Sequence, residues 1–277
     1  MNDGPITHLR SHDAPGRVAV PAVEGLGSYP GGKNGAGVYQ RLINLIPRHR
    51  ILISAFAGHC GIVRNIRPAE HTIVIDADYD VCQWWDDWRR SKKGRSIEIH
   101  HADSIQWLGY KFGLSEWHGS IGLSESDKPP ALPPDPASEY FIFADPPYVL
   151  SERSHGKQYA HELCDDGHRD LLEVLTLIPA WKASAMVCGY DSPLYSHLKP
   201  WRSIDHQVPT RGGLQDERIW MNYLETDSLH DFRYIGNTRR ERERIRRRQV
   251  NWLSQLNAMS DRERAAMLAI LNEGKHQ

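Results

Sequence analysis

The sequence of 277 residues has few cysteines, no long apolar run and almost no net charge. Its four cysteines, at positions 60, 82, 164 and 188, never stand at Cys-x-x-Cys spacing. We therefore expect neither a disulfide framework nor a structural zinc site. We predict no metal site from the 15 histidines either, and the pair His100-His101 falls at the end of a predicted strand.

The apolar runs are too short to cross a membrane. Residues 51–56 and 183–188 are such runs, whereas a spanning helix needs roughly 20 apolar residues. The N-terminus lacks the apolar segment of a signal peptide. With 40% hydrophobic and 25% charged residues, the chain has an ordinary globular composition. We expect a cytoplasmic protein with one main domain.

The net charge of −1 hides an asymmetry along the chain. From residue 231 onward, 11 Lys and Arg stand against 6 Asp and Glu. A near-neutral average argues against a nucleic-acid partner, but a basic segment of this kind can still bind phosphates.

Short apolar runs alternate with helical stretches over most of the chain. Strands are predicted at 51–57, 72–76, 96–101, 140–144 and 183–188, with helices at 35–45, 81–90 and 168–178 between them. Continuous apolar runs are typical of parallel strands buried on both faces. Two more strands, 202–208 and 218–224, have no helix between them. The pattern predicts an α/β fold, a doubly wound and mostly parallel Rossmann-like sheet with an antiparallel edge hairpin.

The predicted domain plan has three parts. Residues 1–27 form a flexible tail, 28–228 form the catalytic domain, and 229–277 form an Arg-rich helical extension. Within the extension, helices are predicted at 237–257 and from a capping box at Ser260 and Glu263 through residue 271. Residues 104–139 form an irregular insertion, because they contain a proline-rich run at 129–134.

The strongest chemical signal is Asp145-Pro146-Pro147-Tyr148, which follows an apolar strand directly. Two prolines stiffen the loop and remove two N–H donors. If the Asp145 carboxylate and the Pro146 carbonyl each accept one N–H of an aromatic amine, the nitrogen can turn its lone pair toward an electrophilic methyl group. Tyr148 would stack on the base. An ordinary turn would also use such residues, but this one ends a parallel strand, where α/β sheets bind ligands.

A second signal is the glycine turn Phe56-Ala57-Gly58 after the first strand. Asp76 ends the next strand and can accept hydrogen bonds from both hydroxyls of a ribose. Asp103, at the tip of the third strand, can accept from the amine of an adenine ring. Glycine turns after strands are common, so this signal is weak on its own.

In this order, the motifs resemble those of the Dam-like DNA adenine methyltransferases. Tyr29-Pro30-Gly31-Gly32-Lys33 resembles the N-terminal cofactor segment of that family, and Phe56-Ala57-Gly58 resembles its cofactor loop. Residues 159–163, 168–171 and 217–223 resemble later family segments, so the resemblance covers about 28–225. The resemblance implies a Rossmann-like methyltransferase that binds S-adenosylmethionine with Tyr29, Gly32, Lys33, Phe56, Ala57, Gly58, Asp76, Asp103 and Asp145.

One residue departs from that family pattern. Cys60 stands where the family loop has its second glycine, and a glycine follows only at position 61. A side chain at position 60 could crowd the cofactor, whereas a one-residue shift of the turn could restore room.

The implied substrate is an adenine in double-stranded DNA, which must be flipped out of the helix. Segment 104–139, with Trp107 and Trp117, is the candidate target-recognition region, or else a surface loop that caps the sheet. The predicted DNA-binding residues lie in the loop after the catalytic strand and in the basic helix: Arg153, Lys157, Tyr159, Arg239, Arg240 and Arg246. A monomer is the default, although apolar residues in the basic helix (Ile245, Trp252 and Leu256) leave packing on the catalytic domain or a dimer open.

Three other functions stay open. A cytosine-N4 methyltransferase would use the same geometry, but those enzymes usually carry Ser in place of Asp145. A methyltransferase that acts on RNA or on a protein amide commonly has Asn there. A catalytically silent DNA-binding protein on the same fold would explain Cys60 as a decayed donor site.

Overall fold

The structure is a computed structural model that describes residues 32–35, 37–91, 95–114, 138–153, 156, 158–210 and 213–273. The predicted tail at 1–27 lies outside the described residues, as do Tyr29, Lys157 and most of the 104–139 insertion.

Seven strands and seven α-helices make up the described part of the chain. The strands are β1 Ile51–Ala55, β2 His71–Asp76, β3 Ile97–His101, β4 Tyr140–Ala144, β5 Ala183–Gly189, β6 Arg202–Thr210 and β7 Gly213–Met221. The helices are α1 Val38–Ile43, α2 Gly61–Asn65, α3 Tyr79–Ser91, α4 Ser104–Lys111, α5 Asp165–Leu177, α6 Arg239–Ala258 and α7 Asp261–Glu273. The described residues also include two 3₁₀ helices, Leu150–Glu152 and Pro193–Leu198.

All seven strands join one sheet in the order β3-β2-β1-β4-β5-β7-β6. Strands β1 to β5 are parallel, and β7 runs antiparallel between β5 and β6. The predicted fold is confirmed: this is a doubly wound, mostly parallel, Rossmann-like sheet with an antiparallel hairpin at one edge. The strand order reverses between β1 and β4, and ligands bind at such a switch point, outside the carboxyl ends of the strands.

Alternate residues of the central strands enter two separate cores. Phe141 and Phe143 of β4 pack in the layer that contains α1, α2 and α3. Ile142 and Ala144 pack in the opposite layer with α4 and α5. Because successive strand side chains point to opposite faces, the continuous apolar run of β4 is what a sheet covered on both faces requires.

Two strand boundaries and two unpredicted helices are the main differences between the prediction and the structure. The first strand ends at residue 55, since residues 56 and 57 already belong to the turn. The second hairpin strand begins at residue 213 rather than 218. Two helices were missed: the five-residue α2, and α4, which occupies the start of the supposedly irregular 104–139 insertion. Both are too short to give a clear helical period in the sequence.

Helices α6 and α7 form the predicted C-terminal extension. The capping box is present, since Ser260 Oγ accepts from the Glu263 N–H at 3.4 Å and Glu263 Oε2 accepts from the Ser260 N–H at 2.8 Å. No residue of α6 is buried, and Trp252 is 46% exposed. Of the two options left open for Trp252, the structure therefore does not show burial against the rest of the chain.

Within the described residues, no helix is long and apolar enough to cross a membrane. Over the same part of the chain, no three His, Cys, Asp or Glu side chains come together as metal ligands would. All four cysteines are free, as predicted, and Cys60, Cys82 and Cys188 are buried.

Candidate active site

A cavity of about 380 Å³ lies at the carboxyl ends of the parallel strands, around the switch point. It is lined by Gly32, Phe56, Ala57, Gly58, Asp76, Ala77, Asp78, Asp103, Ser104, Asp145, Pro147, Tyr159, Ala160, His161, Glu162 and Leu163. Seven of the nine residues implied as cofactor contacts, all but Tyr29 and Lys33, thus line a single cavity. Its volume falls in the range of about 300–1,000 Å³ that is usual for small-molecule sites.

The turn after β1 is held from three sides. Phe56 and Gly58 both have positive φ, 53° and 44°. The Phe56 N–H donates to Ser104 Oγ at 3.0 Å, the Gly58 N–H donates to Asp76 Oδ2 at 2.8 Å, and Trp85 Nε1 donates to the Gly58 carbonyl at 2.7 Å. A left-handed phenylalanine costs about 1–3 kcal/mol and persists only where its surroundings fix it. These contacts supply that support and keep the Gly58 backbone at the cavity wall.

Two carboxylates lie along the cavity with acceptor capacity left over. Asp76 is 8% exposed, and each of its oxygens accepts one backbone N–H, from Asp78 and from Gly58. Burial raises the pKa of Asp76, although these two hydrogen bonds act against the rise. Asp103 caps α4 through Oδ1 alone. Each carboxylate oxygen offers two lone pairs, so both side chains can accept further hydrogen bonds.

Lys33 joins the tetrapeptide 145–148 to the N-terminal segment. Lys33 Nζ lies 2.9 Å from Asp145 Oδ1, 2.6 Å from the Tyr148 hydroxyl and 3.5 Å from Glu217 Oε2. The Tyr148 hydroxyl also donates to Asp145 Oδ1 at 3.3 Å. Lys33 is not among the residues that line the cavity, and its ammonium lies on the candidate catalytic carboxylate. Its contact with the cofactor stays a prediction.

Asp145 keeps one oxygen open. Its two hydrogen bonds both go to Oδ1, and among the described residues none donates to Oδ2 or to the Pro146 carbonyl. Burial raises the pKa of Asp145 to about 6; Lys33 opposes the rise and Glu217 adds to it. Near neutral pH the Asp145 carboxylate is therefore ionised, and its Oδ2 can accept a further hydrogen bond.

Cys60 does not intrude on the cavity. Its side chain is 3% exposed and packs in the core layer next to α2. The close approach occurs one residue later, where the Gly61 N–H donates to the Gly32 carbonyl at 2.8 Å. A Cβ at position 61 would lie 2.7 Å from the Lys33 carbonyl oxygen. The glycine at 61 therefore makes room for the N-terminal segment, and Cys60 leaves the cavity free.

No protein-family model matches this chain. No curated protein sequence matches it either. Among solved structures, it is similar to TrmN from Thermus thermophilus, with 14% identity, a TM-score of 0.40, and coverage of 66% of this chain and 46% of that one. It is also similar to an rRNA methylase from Streptococcus thermophilus, with 6% identity, a TM-score of 0.36, and coverage of 68% and 94%.

A third similar structure is a SAM-dependent methyltransferase from Agrobacterium tumefaciens. Its identity is 10%, its TM-score is 0.37, and the match covers 66% of this chain and 59% of that one. At such identities and TM-scores, these similarities do not indicate an activity or a substrate for this chain.

Arg153 is largely buried and holds two segments of the site together. Its guanidinium donates to both oxygens of Glu162, at 3.0 and 2.8 Å, and to the Tyr148 carbonyl at 2.6 Å. The side chain is 5% exposed. The bidentate pair fixes the 159–163 segment against the loop 145–148, and Tyr159 lies at the cavity. The predicted contact of Arg153 with DNA stays a prediction.

The basic residues of α6 are exposed. Arg239 is 86% exposed and forms an ion pair with Glu243, one turn along the helix. Arg240 and Arg246 are exposed as well. Their predicted contact with DNA stays a prediction.

Three residues of the site are not predicted from the sequence. Ser104 falls in the predicted insertion, Asp78 follows Asp76 outside any motif, and Glu217 is only the first residue of the family-like segment 217–223. Asp78 could have been found, since it follows the strand end by two residues. Glu217 could not, because nothing local says which face of β7 is buried.

Proposed function

We propose that this protein is an S-adenosylmethionine-dependent DNA methyltransferase that modifies the exocyclic N6 amine of adenine. The observation that carries the proposal is the Asp145 carboxylate, whose Oδ2 accepts from no described residue, in the wall of a cavity built from a glycine turn and Asp76. Donor and amine can then meet at one carboxylate.

The cavity suits the donor chemically. Asp76 has lone pairs left for ribose hydroxyls, and Asp103 has one oxygen left for a base amine. Gly58 lets the backbone approach the bound nucleoside, because it has no side chain. When bound, S-adenosylmethionine supplies an electrophilic methyl group on a sulfonium.

Asp145 and Pro146 act on the amine. Each accepts one N–H, which draws the nitrogen lone pair out of the aromatic ring and aims it away from the two acceptors. As the N–C bond forms and the S–C bond breaks, the amine must lose one proton. The ionised Asp145 carboxylate is the nearest base able to take that proton.

The base itself would meet aromatic side chains. The Tyr148 ring contacts the Tyr190 ring edge to face, with centroids 4.6 Å apart. A flipped base costs a few kcal/mol to extrude, and stacking on such rings offsets part of this. Adenine is favoured over cytosine because the resemblance associates aspartate at position 145 with adenine.

The direct test is expression in a host free of DNA methylation, followed by sequencing of modified bases. We expect N6-methyladenine with the wild-type chain and none with Asp145→Ala. Asp87→Ala is the matched control, because that carboxylate is 70% exposed on α3, away from the cavity. Modified cytosine in place of modified adenine would overturn the adenine assignment.

Two further measurements separate the alternatives. Calorimetry of S-adenosylmethionine binding tests the silent DNA-binding reading, which requires that no donor binds. Tritium transfer from labelled donor to DNA, RNA and protein in parallel identifies the acceptor, and transfer to RNA or protein alone would refute the proposal.

A further inference from the structure

Glu217 is a carboxylate at a core position. Along β7, residues 217, 219 and 221 share one face because strand side chains alternate. Ile219 and Met221 are fully buried in the layer with α1 and α2. Glu217 lies on the same face and is only 5% exposed. An apolar side chain is the ordinary occupant of such a position.

Glu217 and Asp145 share a single cation. Lys33 Nζ is 2.9 Å from Asp145 Oδ1 and 3.5 Å from Glu217 Oε2. That Glu217 oxygen makes no hydrogen bond to any residue that the structure describes. A buried group of two carboxylates and one ammonium carries a net negative charge. Removing that charge from water costs free energy and destabilises the folded state. Stability alone gives no reason to keep the second carboxylate.

Other titratable groups face this cluster from the neighbouring elements: Cys60, Tyr148, Tyr159, Cys188, Tyr190, Tyr195 and His206, with the ion pair of Arg153 and Glu162 beside Tyr159 and Arg41 behind His206. Burial raises the pKa of both thiols and all four phenols and lowers that of His206. These seven groups are therefore neutral near pH 7, and Arg153 is balanced by Glu162. The charge balance around Asp145 is thus set by Lys33 and Glu217.

We propose that Glu217 is a positioning residue of the methyl-transfer site. It shares the Lys33 ammonium with Asp145 and so holds that ammonium at Asp145 Oδ1, while Oδ2 stays open to the amine. This inference rests on the proposed function. Glu217 also keeps Asp145 basic, because its negative charge opposes the pull of the ammonium. Without Glu217, the Lys33 ammonium would pair with Asp145 alone and would stabilise its ionised form more strongly.

The test compares Glu217→Gln with Asp216→Asn, a change of the neighbouring residue, whose side chain is exposed. The Gln variant leaves one ammonium and one carboxylate, a balanced pair, so the fold has no new buried charge to accommodate. In methyl transfer to DNA we expect kcat to fall on the order of tenfold. KM for donor and DNA should stay unchanged, and the acid limb of the pH–rate profile should move to lower pH. Asp216→Asn should match wild type.

A second readout needs no activity. The side-chain carboxyl of Asp145 can be titrated by ¹³C NMR, with its signal assigned by comparison with Asp145→Asn. We expect a midpoint near 6 in the wild type and a lower one in Glu217→Gln. Glu217→Asp keeps the negative charge but places it one methylene farther from Lys33, so the titration midpoint of Asp145 should be intermediate. This variant replaces Glu217→Gln in the test if the Gln variant does not fold.

The outcomes distinguish the two proposals. Equal midpoints and equal kcat in wild type and Glu217→Gln would overturn the role of Glu217 and leave the methyltransferase proposal standing. A shifted midpoint in a protein that methylates no DNA would refute the proposed function, while the coupling of Glu217 to Asp145 would stand.

Discussion

Gly61→Ala tests whether the position of the N-terminal segment controls the catalytic carboxylate. Gly61 is the first residue of α2, and its backbone conformation is one that alanine adopts readily. The effect of Gly61→Ala is therefore steric. The new Cβ would lie 2.7 Å from the Lys33 carbonyl oxygen and 2.7 Å from Asn34 Oδ1.

The size of the effect follows from that contact. To restore an ordinary separation of about 3.4 Å, the backbone at Lys33 must move by about 0.7 Å. Overpacking of this kind costs about 1–3 kcal/mol of stability. Because the Lys33 ammonium lies 2.9 Å from Asp145, a shift of this size misplaces it, and we expect methyl transfer to fall by about 10- to 100-fold.

The assay combines initial rates of methyl transfer to DNA with thermal unfolding. Gly156→Ala is the control, since a Cβ there meets nothing within 4 Å. If Gly61→Ala transfers methyl groups as fast as Gly156→Ala and unfolds at the same temperature, the N-terminal segment does not set the geometry of the site.

Three further predictions concern pH and salt. Because the pKa of Asp145 is about 6, the rate of methyl transfer should be full above pH 7 and fall as the carboxylate is protonated below pH 6, as a pH–rate profile would show. Burial lowers the pKa of His49 to about 3, so the folded state excludes a proton that the unfolded chain binds below about pH 6.5. The free energy of unfolding should therefore decrease from pH 6.5 toward 3, and less steeply in His49→Phe; equal pH dependence would contradict this. Replacement of Arg239, Arg240 and Arg246 by alanine should weaken DNA binding and reduce the slope of log K against log salt by about 2.7, whereas an unchanged slope would exclude these side chains as phosphate contacts.

The sequence alone determined most of the sheet and the chemistry of its edge. Apolar runs and the turns that end them are local properties of the chain, so β1 to β5 could be found without the structure. The same holds for Asp145-Pro146-Pro147-Tyr148 and for Asp76, because a residue that ends a parallel strand must lie at the carboxyl edge.

Tertiary structure alone decided which side chains meet. Lys33, Asp145 and Glu217 are far apart in the chain, and only the register of β7 against β5 and β6 turns Glu217 inward toward the lysine. Likewise, an arginine such as Arg153 can bind phosphate, but in the structure its side chain is paired with Glu162 and buried. Side-chain type is fixed by the sequence, whereas burial and partner depend on strand register and packing between distant segments, which no local pattern encodes.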